Sequence, residues 1–299
     1  MSRIPSFLLP NGKRRRKSAD GMTQTKTALL FLAPSLLGVC VFALVPFADM
    51  MRRSVTSDTG ARFIGLSSYQ NVITNKAFLQ AVSNTARFVS LCIPLLLILS
   101  LALALLLRLL RPRGRALRTA FLIPMAVPVA SIVLLWQALF HSQGLFNTLL
   151  VHAGGQAVNF MGTETAFWVL IVTYLWKNNG YTMILWLAGL DGIAGTLYEA
   201  AAADGAGLWR QFWHITLPGI LPTLALTTVL SLLNSFKVFR EAYLVAGSYP
   251  HKSIYLLQHL FNNWFLKLEI GRMSAAAVLV AAALMGLILM LYRMWRRDE

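Results

Sequence analysis

Residues 199–222 read EAAAADGAGLWRQFWHITLPGILP and lie between two long apolar runs. Strong helix formers continue to Ala203, and Asp204-Gly205 then favours a helix end, because glycine readily adopts the left-handed conformation there. Apolar residues recur at helical spacing over residues 208–215, and Pro218 suits the first turn of a following helix. The stretch therefore predicts a helix, a glycine corner and a second helix, held outside the bilayer as a compact knob.

The composition of the whole chain is that of a membrane protein. Of its 299 residues, 57% are hydrophobic and 13% are charged, whereas a soluble domain is about 45–50% apolar and about 25% charged. A membrane-spanning helix needs about 20 mostly apolar residues. Six such runs occur, at about residues 28–50, 88–110, 119–140, 165–190, 220–239 and 273–295. We predict an all-α polytopic membrane protein with six transmembrane helices; a soluble protein with a buried core is the alternative.

The net charge of +16 has the sign of a nucleic-acid-binding protein, but its distribution argues against one. Most of the 27 lysines and arginines flank the ends of apolar runs, in segments 1–27, 108–118 and 293–297 and at Arg210. Basic residues favour the cytoplasmic side of a membrane. We therefore predict that both termini are cytoplasmic, with a basic tail at residues 1–26, a permease-like membrane domain at 27–299 and a cytoplasmic loop at about 191–219.

The spacing of the opening stretch resembles the EAA loop of ABC-importer permease subunits. The order Glu-Ala-Ala, three residues, Gly, nine residues and Ile-x-Leu-Pro is complete in Glu199, Ala200, Ala201, Gly205, Ile215, Leu217 and Pro218. Three more stretches resemble the carbohydrate branch of that family, the maltose/glycerol-phosphate type: LLFLAPSLLGVCVFALVPF at 29–47, FIGLSSYQNV at 63–72 and ILWLAGLDGI at 184–193. The chain is similar to the shorter, six-span member of a two-permease pair.

This resemblance implies a type I ABC-importer permease fold and a set of partners. In that family the EAA loop is a coupling helix that seats in a groove on a separate ATPase. The implied assembly contains a second permease subunit, two copies of a cytoplasmic ATPase subunit that bind ATP, and an external solute-binding protein that delivers a carbohydrate. The implied location is the bacterial inner membrane.

The resemblance also assigns the seven motif residues to the contact with the ATPase. From spacing alone, an ordinary helical loop, or an interfacial helix anchored by its tryptophans, explains the same stretch. A carboxylate near the first turn of a short helix is also favoured by the helix dipole, which gives Glu199 a structural explanation.

A second polar group lies inside the fourth apolar run, in TYLWKNNGYTMILW at 173–186. A lysine at a helix centre costs about 2.5–3.5 kcal/mol on insertion scales, so it normally faces a polar cavity or a partner. The adjacent asparagines and Gly180 predict a locally hydrated or broken helix. We predict a translocation path formed by Tyr174, Lys177, Asn178, Asn179, Asn234 and Lys237. A structural lysine that reaches out of the bilayer, or a shifted span boundary, is the alternative.

Other functions receive less support from the sequence. The GxxxxGK[ST] phosphate-binding loop, HExxH and CxxC are missing from the 299 residues, so we expect no catalysis, cofactor or metal in this chain and ATP on partner subunits. An ion-gradient-driven secondary transporter is the main rival. It would need intramembrane acids or inverted repeats, and we place Lys177 as the only charge near mid-membrane. A membrane-embedded enzyme is a more distant rival.

Overall fold

The computed structural model describes residues 30–110 and 114–296. The described part is almost entirely helical, and its only β-pairing is an isolated antiparallel bridge between Thr56 and Phe63. The predicted basic tail at 1–26 lies outside the described residues, as do three of the predicted cytoplasmic basic residues, Arg111, Arg113 and Arg297.

The helices follow one another with short connections. They are α1 (Leu30–Arg53), α2 (Ser67–Ile73), α3 (Lys76–Leu109), α4 (Gly114–Ala126), α5 (Val129–Phe140), α6 (Leu145–His152), α7 (Thr165–Asp191), α8 (Gly195–Ala203), α9 (Leu208–Gln211), α10 (Leu217–Gly219), α11 (Leu221–Ser235), α12 (Phe239–Ala246), α13 (Leu257–Leu266) and α14 (Ile270–Arg296). A π-helical turn, Phe212–Thr216, joins α9 to α10. Turns of 3-10 helix precede α12 and α13, at Phe236–Val238 and Lys252–Ile254.

Five helical stretches in the described ranges are long and apolar enough to cross a membrane. They are Leu30–Arg53, Lys76–Leu109, Val129–His152, Leu221–Ala246 and Ile270–Arg293. The predicted fourth run corresponds to α7, which has 27 residues. It is not among the five, and a lysine and two asparagines at its centre reduce its mean hydropathy. The chain is thus an all-α, multi-pass membrane protein.

Two predicted boundaries are wrong. The second span begins well before residue 88, because α3 already starts at Lys76, where the Asn75 side chain accepts a hydrogen bond from the Phe78 amide at 3.0 Å. The third run, 119–140, is divided between α4 and α5. Pro128 precedes α5 in an extended conformation with ψ 145°, and a proline has no N–H to continue the preceding helix.

Helix α7 lies at the centre of the fold, where it packs against α3, α4 and α11. At Gly180 a Cβ atom would overlap the backbone carbonyl of Phe121, so only glycine permits this approach of α4. The indole of Trp186 donates a hydrogen bond to Ser100 Oγ on α3 at 3.0 Å. Small residues and interhelical hydrogen bonds of this kind hold membrane helices together. Because α7 continues unbroken through Gly180, the predicted break is wrong and the glycine is a packing contact.

Helix α1 presents its apolar side chains outward. Phe31 is 80% exposed and Phe42 is 84% exposed, and no residue of this span is buried. Its C-terminal part contacts α14. Such a surface suits the hydrocarbon interior of a bilayer, as the apolar composition predicted.

Candidate functional site

The 191–219 loop folds as α8, a sharp corner and α9. Gly205 forms the corner with φ +75°, which confirms the predicted left-handed glycine. The Gly205 amide donates to the Ala202 carbonyl at 3.0 Å and the Ala206 amide donates to the Ala201 carbonyl at 2.8 Å. These two bonds form a Schellman motif, which satisfies carbonyls that the end of a helix leaves unpaired.

The motif residues differ in exposure. Four of them are exposed, namely Glu199, Ala200, Gly205 and Pro218, and three are half-buried, namely Ala201, Ile215 and Leu217. Glu199 lies in the second turn of α8, beyond the turn where a helix dipole acts, so the dipole explanation for this acid is wrong. Its carboxylate has no ion pair or hydrogen bond within the described ranges. A contact of these residues with an ATPase stays a prediction.

The return from the loop to the membrane involves two prolines. Pro218 lies in α10, directly after the π-helical turn, and not in the first turn of the fifth span as predicted. That span begins at Leu221, and Pro222 occupies its first turn. The loop therefore reaches the span through one additional helical turn.

Tyr198, which the sequence pattern did not single out, anchors the loop. Its hydroxyl lies 3.0 Å from Thr216 Oγ1 and joins the two halves of the loop. The Arg108 guanidinium lies over the Tyr198 ring, 5.4 Å from its centroid, in a cation–π contact. This contact connects α8 to the C-terminal end of α3. The only sequence signal was an aromatic residue directly before Glu199.

A polar cavity of about 270 Å³ opens between the α4–α5 junction, the middle of α7 and the segment from α11 to α12. All predicted path residues except Asn179 line it: Tyr174, Lys177, Asn178, Asn234 and Lys237. Arg240 and Glu241 line it as well, and neither was predicted. The structure thus brings the polar residues of the fourth and fifth runs together around one space, while their role in translocation stays a prediction.

The centre of this cavity contains an ion pair. The Lys177 ammonium contacts Glu241 Oε1, with the lysine side chain 19% exposed and the glutamate side chain 3% exposed. The second oxygen, Glu241 Oε2, is buried without a hydrogen-bond partner. The expectation that Lys177 is the only charge near mid-membrane is therefore wrong. Glu241 is the single acid within Leu221–Ala246, and an acid in an apolar span generally requires a partner.

The uncharged lining residues have different freedom to bind a solute. The Tyr174 hydroxyl donates to the Ser231 carbonyl at 2.8 Å and its residue is 1% exposed, so it joins α7 to α11. The Asn178 amide donates to the Tyr174 carbonyl at 2.8 Å. Asn234 Oδ1 accepts from Lys237 Nζ at 2.8 Å. The Asn178 carbonyl oxygen and the Asn234 amide nitrogen remain without a partner in the described part of the chain, so each can bond a hydroxyl group.

Comparison with known proteins gives a consistent picture. A family model described as "Binding-protein-dependent transport system inner membrane component" matches residues 95–297. The trehalose/maltose transport system permease protein MalF of Thermococcus litoralis is 32% identical over 284 residues, covering 92% of this chain and 96% of MalF. The sulfoquinovosyl glycerol permease protein SmoG of Agrobacterium fabrum is 30% identical, covering 94% of this chain and 93% of SmoG.

Solved structures resemble the fold. One chain of a bacterial ABC transporter involved in the import of the acidic polysaccharide alginate superposes with a TM-score of 0.81 at 21% identity, covering 94% of this chain and 99% of that chain. The same score is obtained with a bacterial alginate ABC transporter in complex with its alginate pentasaccharide-bound periplasmic protein. The arrangement of helices is therefore that of an ABC-importer permease.

Proposed function

The chain belongs to the family of binding-protein-dependent transport system inner membrane components, and on that premise we propose that it moves a carbohydrate across the bacterial cytoplasmic membrane. It does so as a permease subunit of an ATP-driven importer. The names of the relatives, which mention trehalose, maltose and sulfoquinovosyl glycerol, support a carbohydrate as the solute. The observation that carries the proposal is the polar cavity against α7, whose free amide groups suit hydroxyl groups.

The proposed assembly contains partners that this chain needs for work. An external binding protein delivers the solute, a second permease subunit completes the path, and two copies of an ATPase subunit bind ATP on the cytoplasmic side. In this arrangement both termini and the 191–219 loop are cytoplasmic. The basic residues at the ends of the spans support this orientation.

The 191–219 loop couples the ATPase to the cavity. It is the direct connection between α7 and α11, and both helices contribute residues to the cavity. A displacement of the loop therefore acts on two walls of the cavity together. The exposed Glu199 and the alanines around it provide the contact with the ATPase groove. Tyr198 keeps the loop rigid, because it bonds the far half of the loop and stacks beneath Arg108 of α3.

The test compares two glycines of the corner. Gly205 has φ +75°, whereas Gly207 has φ −68° and ψ 166°, and a Cβ atom would meet nothing within 4 Å at either residue. A valine at Gly205 is penalised by about 1–2 kcal/mol, so the docked loop becomes about tenfold less populated, since about 1.4 kcal/mol is a factor of ten. Gly205→Val should reduce ATP-driven uptake by about that factor, and Gly207→Val should not.

The measurement uses the complete reconstituted importer with two readouts, solute uptake and retention of the ATPase on the tagged permease. Gly205→Val should still insert and bind the second permease while uptake falls. Normal uptake by Gly205→Val, with the ATPase bound, would mean that the loop is a passive connection. An equal loss in Gly207→Val would show that any larger residue disturbs the corner.

The ion-gradient alternative required an intramembrane acid, and Glu241 is one. Its carboxylate is paired with Lys177, however, and the family is defined by binding-protein-dependent transport. Uptake into vesicles that hold an ion gradient and no ATP would revive this alternative; we expect none.

A further inference from the structure

The cavity carries more positive than negative charge. Four charged residues line it, Lys177, Lys237, Arg240 and Glu241. Glu241 neutralises Lys177 in the buried ion pair. Lys237 and Arg240 are exposed, and neither has an acidic partner in the described ranges. Two cations therefore remain uncompensated at one side of a space that is otherwise formed by amides and apolar groups.

The helix geometry directs these cations to the same place. Lys237 and Arg240 are three residues apart, and Lys237 and Glu241 are four apart, so the three side chains share one face of the segment that leads into α12. The Lys237 ammonium also contacts Asn234 Oδ1 at 2.8 Å, which holds it beside an amide nitrogen that has no partner. The positive charge and the hydrogen-bonding groups are thus contiguous.

We propose that the solute of this cavity is an acidic saccharide, a sugar that carries a carboxylate or sulfonate group. The inference rests on the proposed function, because it requires the cavity to lie on the translocation path. The Arg240 guanidinium offers a planar set of donors that fits two oxygens of such an anion, and Lys237 supplies a second positive charge. The unpartnered Glu241 Oε2 accepts a hydrogen bond from a sugar hydroxyl, and the Asn178 carbonyl oxygen accepts another.

Glu241 does not oppose the binding of an anion. Its charge is balanced by Lys177, so the four side chains together still carry an excess of two positive charges. A neutral sugar would satisfy the amides and Glu241 Oε2 but would leave Arg240 without a counterpart. An acidic saccharide satisfies both groups of residues.

The experiment measures ATP-dependent uptake by the complete importer in proteoliposomes. The probes are matched labelled disaccharides that end in glucuronate, in 6-sulfonated glucose or in glucose. Three variants are compared, Arg240→Gln, Lys237→Gln and, as an exposed lysine outside the cavity, Lys252→Gln. We expect uptake of an acidic disaccharide that exceeds uptake of the glucose form. Arg240→Gln should lower it about tenfold, the value of one charge-assisted hydrogen bond, and Lys252→Gln should leave it unchanged.

The outcomes separate this proposal from the function on which it rests. ATP-dependent uptake of the glucose form alone would overturn the acidic solute and retain the carbohydrate importer. An equal loss of acidic and neutral uptake in Arg240→Gln would also overturn it, because the cations would then serve assembly with another subunit or lipid. If no saccharide is taken up in an ATP-dependent manner, the proposed function itself fails.

Discussion

The buried pair Lys177–Glu241 makes a quantitative prediction about stability. Removing one partner of a buried ion pair costs about 3–5 kcal/mol, because the other charge is left uncompensated. The two single variants should differ. Lys177→Met leaves a carboxylate that is 3% exposed, whereas Glu241→Gln leaves an ammonium that is 19% exposed and borders the cavity. We expect a loss of about 4–5 kcal/mol for Lys177→Met and about 3 kcal/mol for Glu241→Gln.

The double variant Lys177→Met/Glu241→Gln distinguishes a true pair from two independent residues. A neutral pair of similar volume is often as stable as a buried ion pair. The double variant should therefore be more stable than Lys177→Met alone, with an interaction energy of about 2–3 kcal/mol. The exposed pair Lys252–Glu164, with side chains 71% and 64% exposed, is the matched control. Lys252→Met should cost less than about 1 kcal/mol.

The assay is the apparent thermal midpoint of the purified importer in detergent at a fixed scan rate, since unfolding of such proteins is commonly irreversible. With about 2–4 °C per kcal/mol for a chain of this size class, Glu241→Gln should lower the midpoint by about 6–12 °C. Lys252→Met should stay within about 3 °C of the parent. Additive losses in the double variant would refute the pairing of Lys177 with Glu241. Losses no larger than that of Lys252→Met would refute its burial.

Three further predictions follow from packing, burial and orientation. Gly180→Ala should cost about 1–3 kcal/mol of overpacking in the same thermal assay, because its Cβ would overlap the backbone of α4, while Gly195→Ala faces open space and should be neutral. Burial lowers the pKa of His259, outside the candidate spans, to about 4; the unfolded state then binds the proton first, so stability should fall as pH decreases from about 6.5 to 4, and His259→Asn should flatten that dependence. Reporter fusions should place Gly155 outside and Gly207 inside, and a cytoplasmic signal at Gly155 would break the assigned orientation.

The sequence predicted those features that depend on local pattern. The apolar runs identified the spans of α1, α3, α11 and α14, because length and hydropathy suffice for that purpose. The corner at Gly205 was predictable as well, because a glycine after a run of helix formers has a local conformational reason. The polar residues of α7 indicated a cavity, because a lysine in an apolar span requires a polar environment.

What escaped the sequence depends on which helices meet. Glu241 was placed among aromatic residues at the membrane interface, and only the packing of α12 against the rest of the fold reveals its pairing with Lys177. Gly180 could be read as a break or as a contact, and the answer lies in the backbone of α4. The positive face of Lys237 and Arg240 could have been found from their spacing, had the segment been assigned to the cavity and not to the membrane surface.

The contact of Gly180 with the backbone of α4 has a mechanical consequence. Main chain against main chain leaves no side chain that could yield, so α4 and α7 must shift as one rigid body. On the opposite side, α11 and α12 meet the cavity portion of α7 through the Tyr174 hydroxyl and the Lys177–Glu241 pair. Those bonds can be exchanged for bonds to a passing solute. The cavity therefore has one fixed wall and one latched wall, and the solute itself can release the latch.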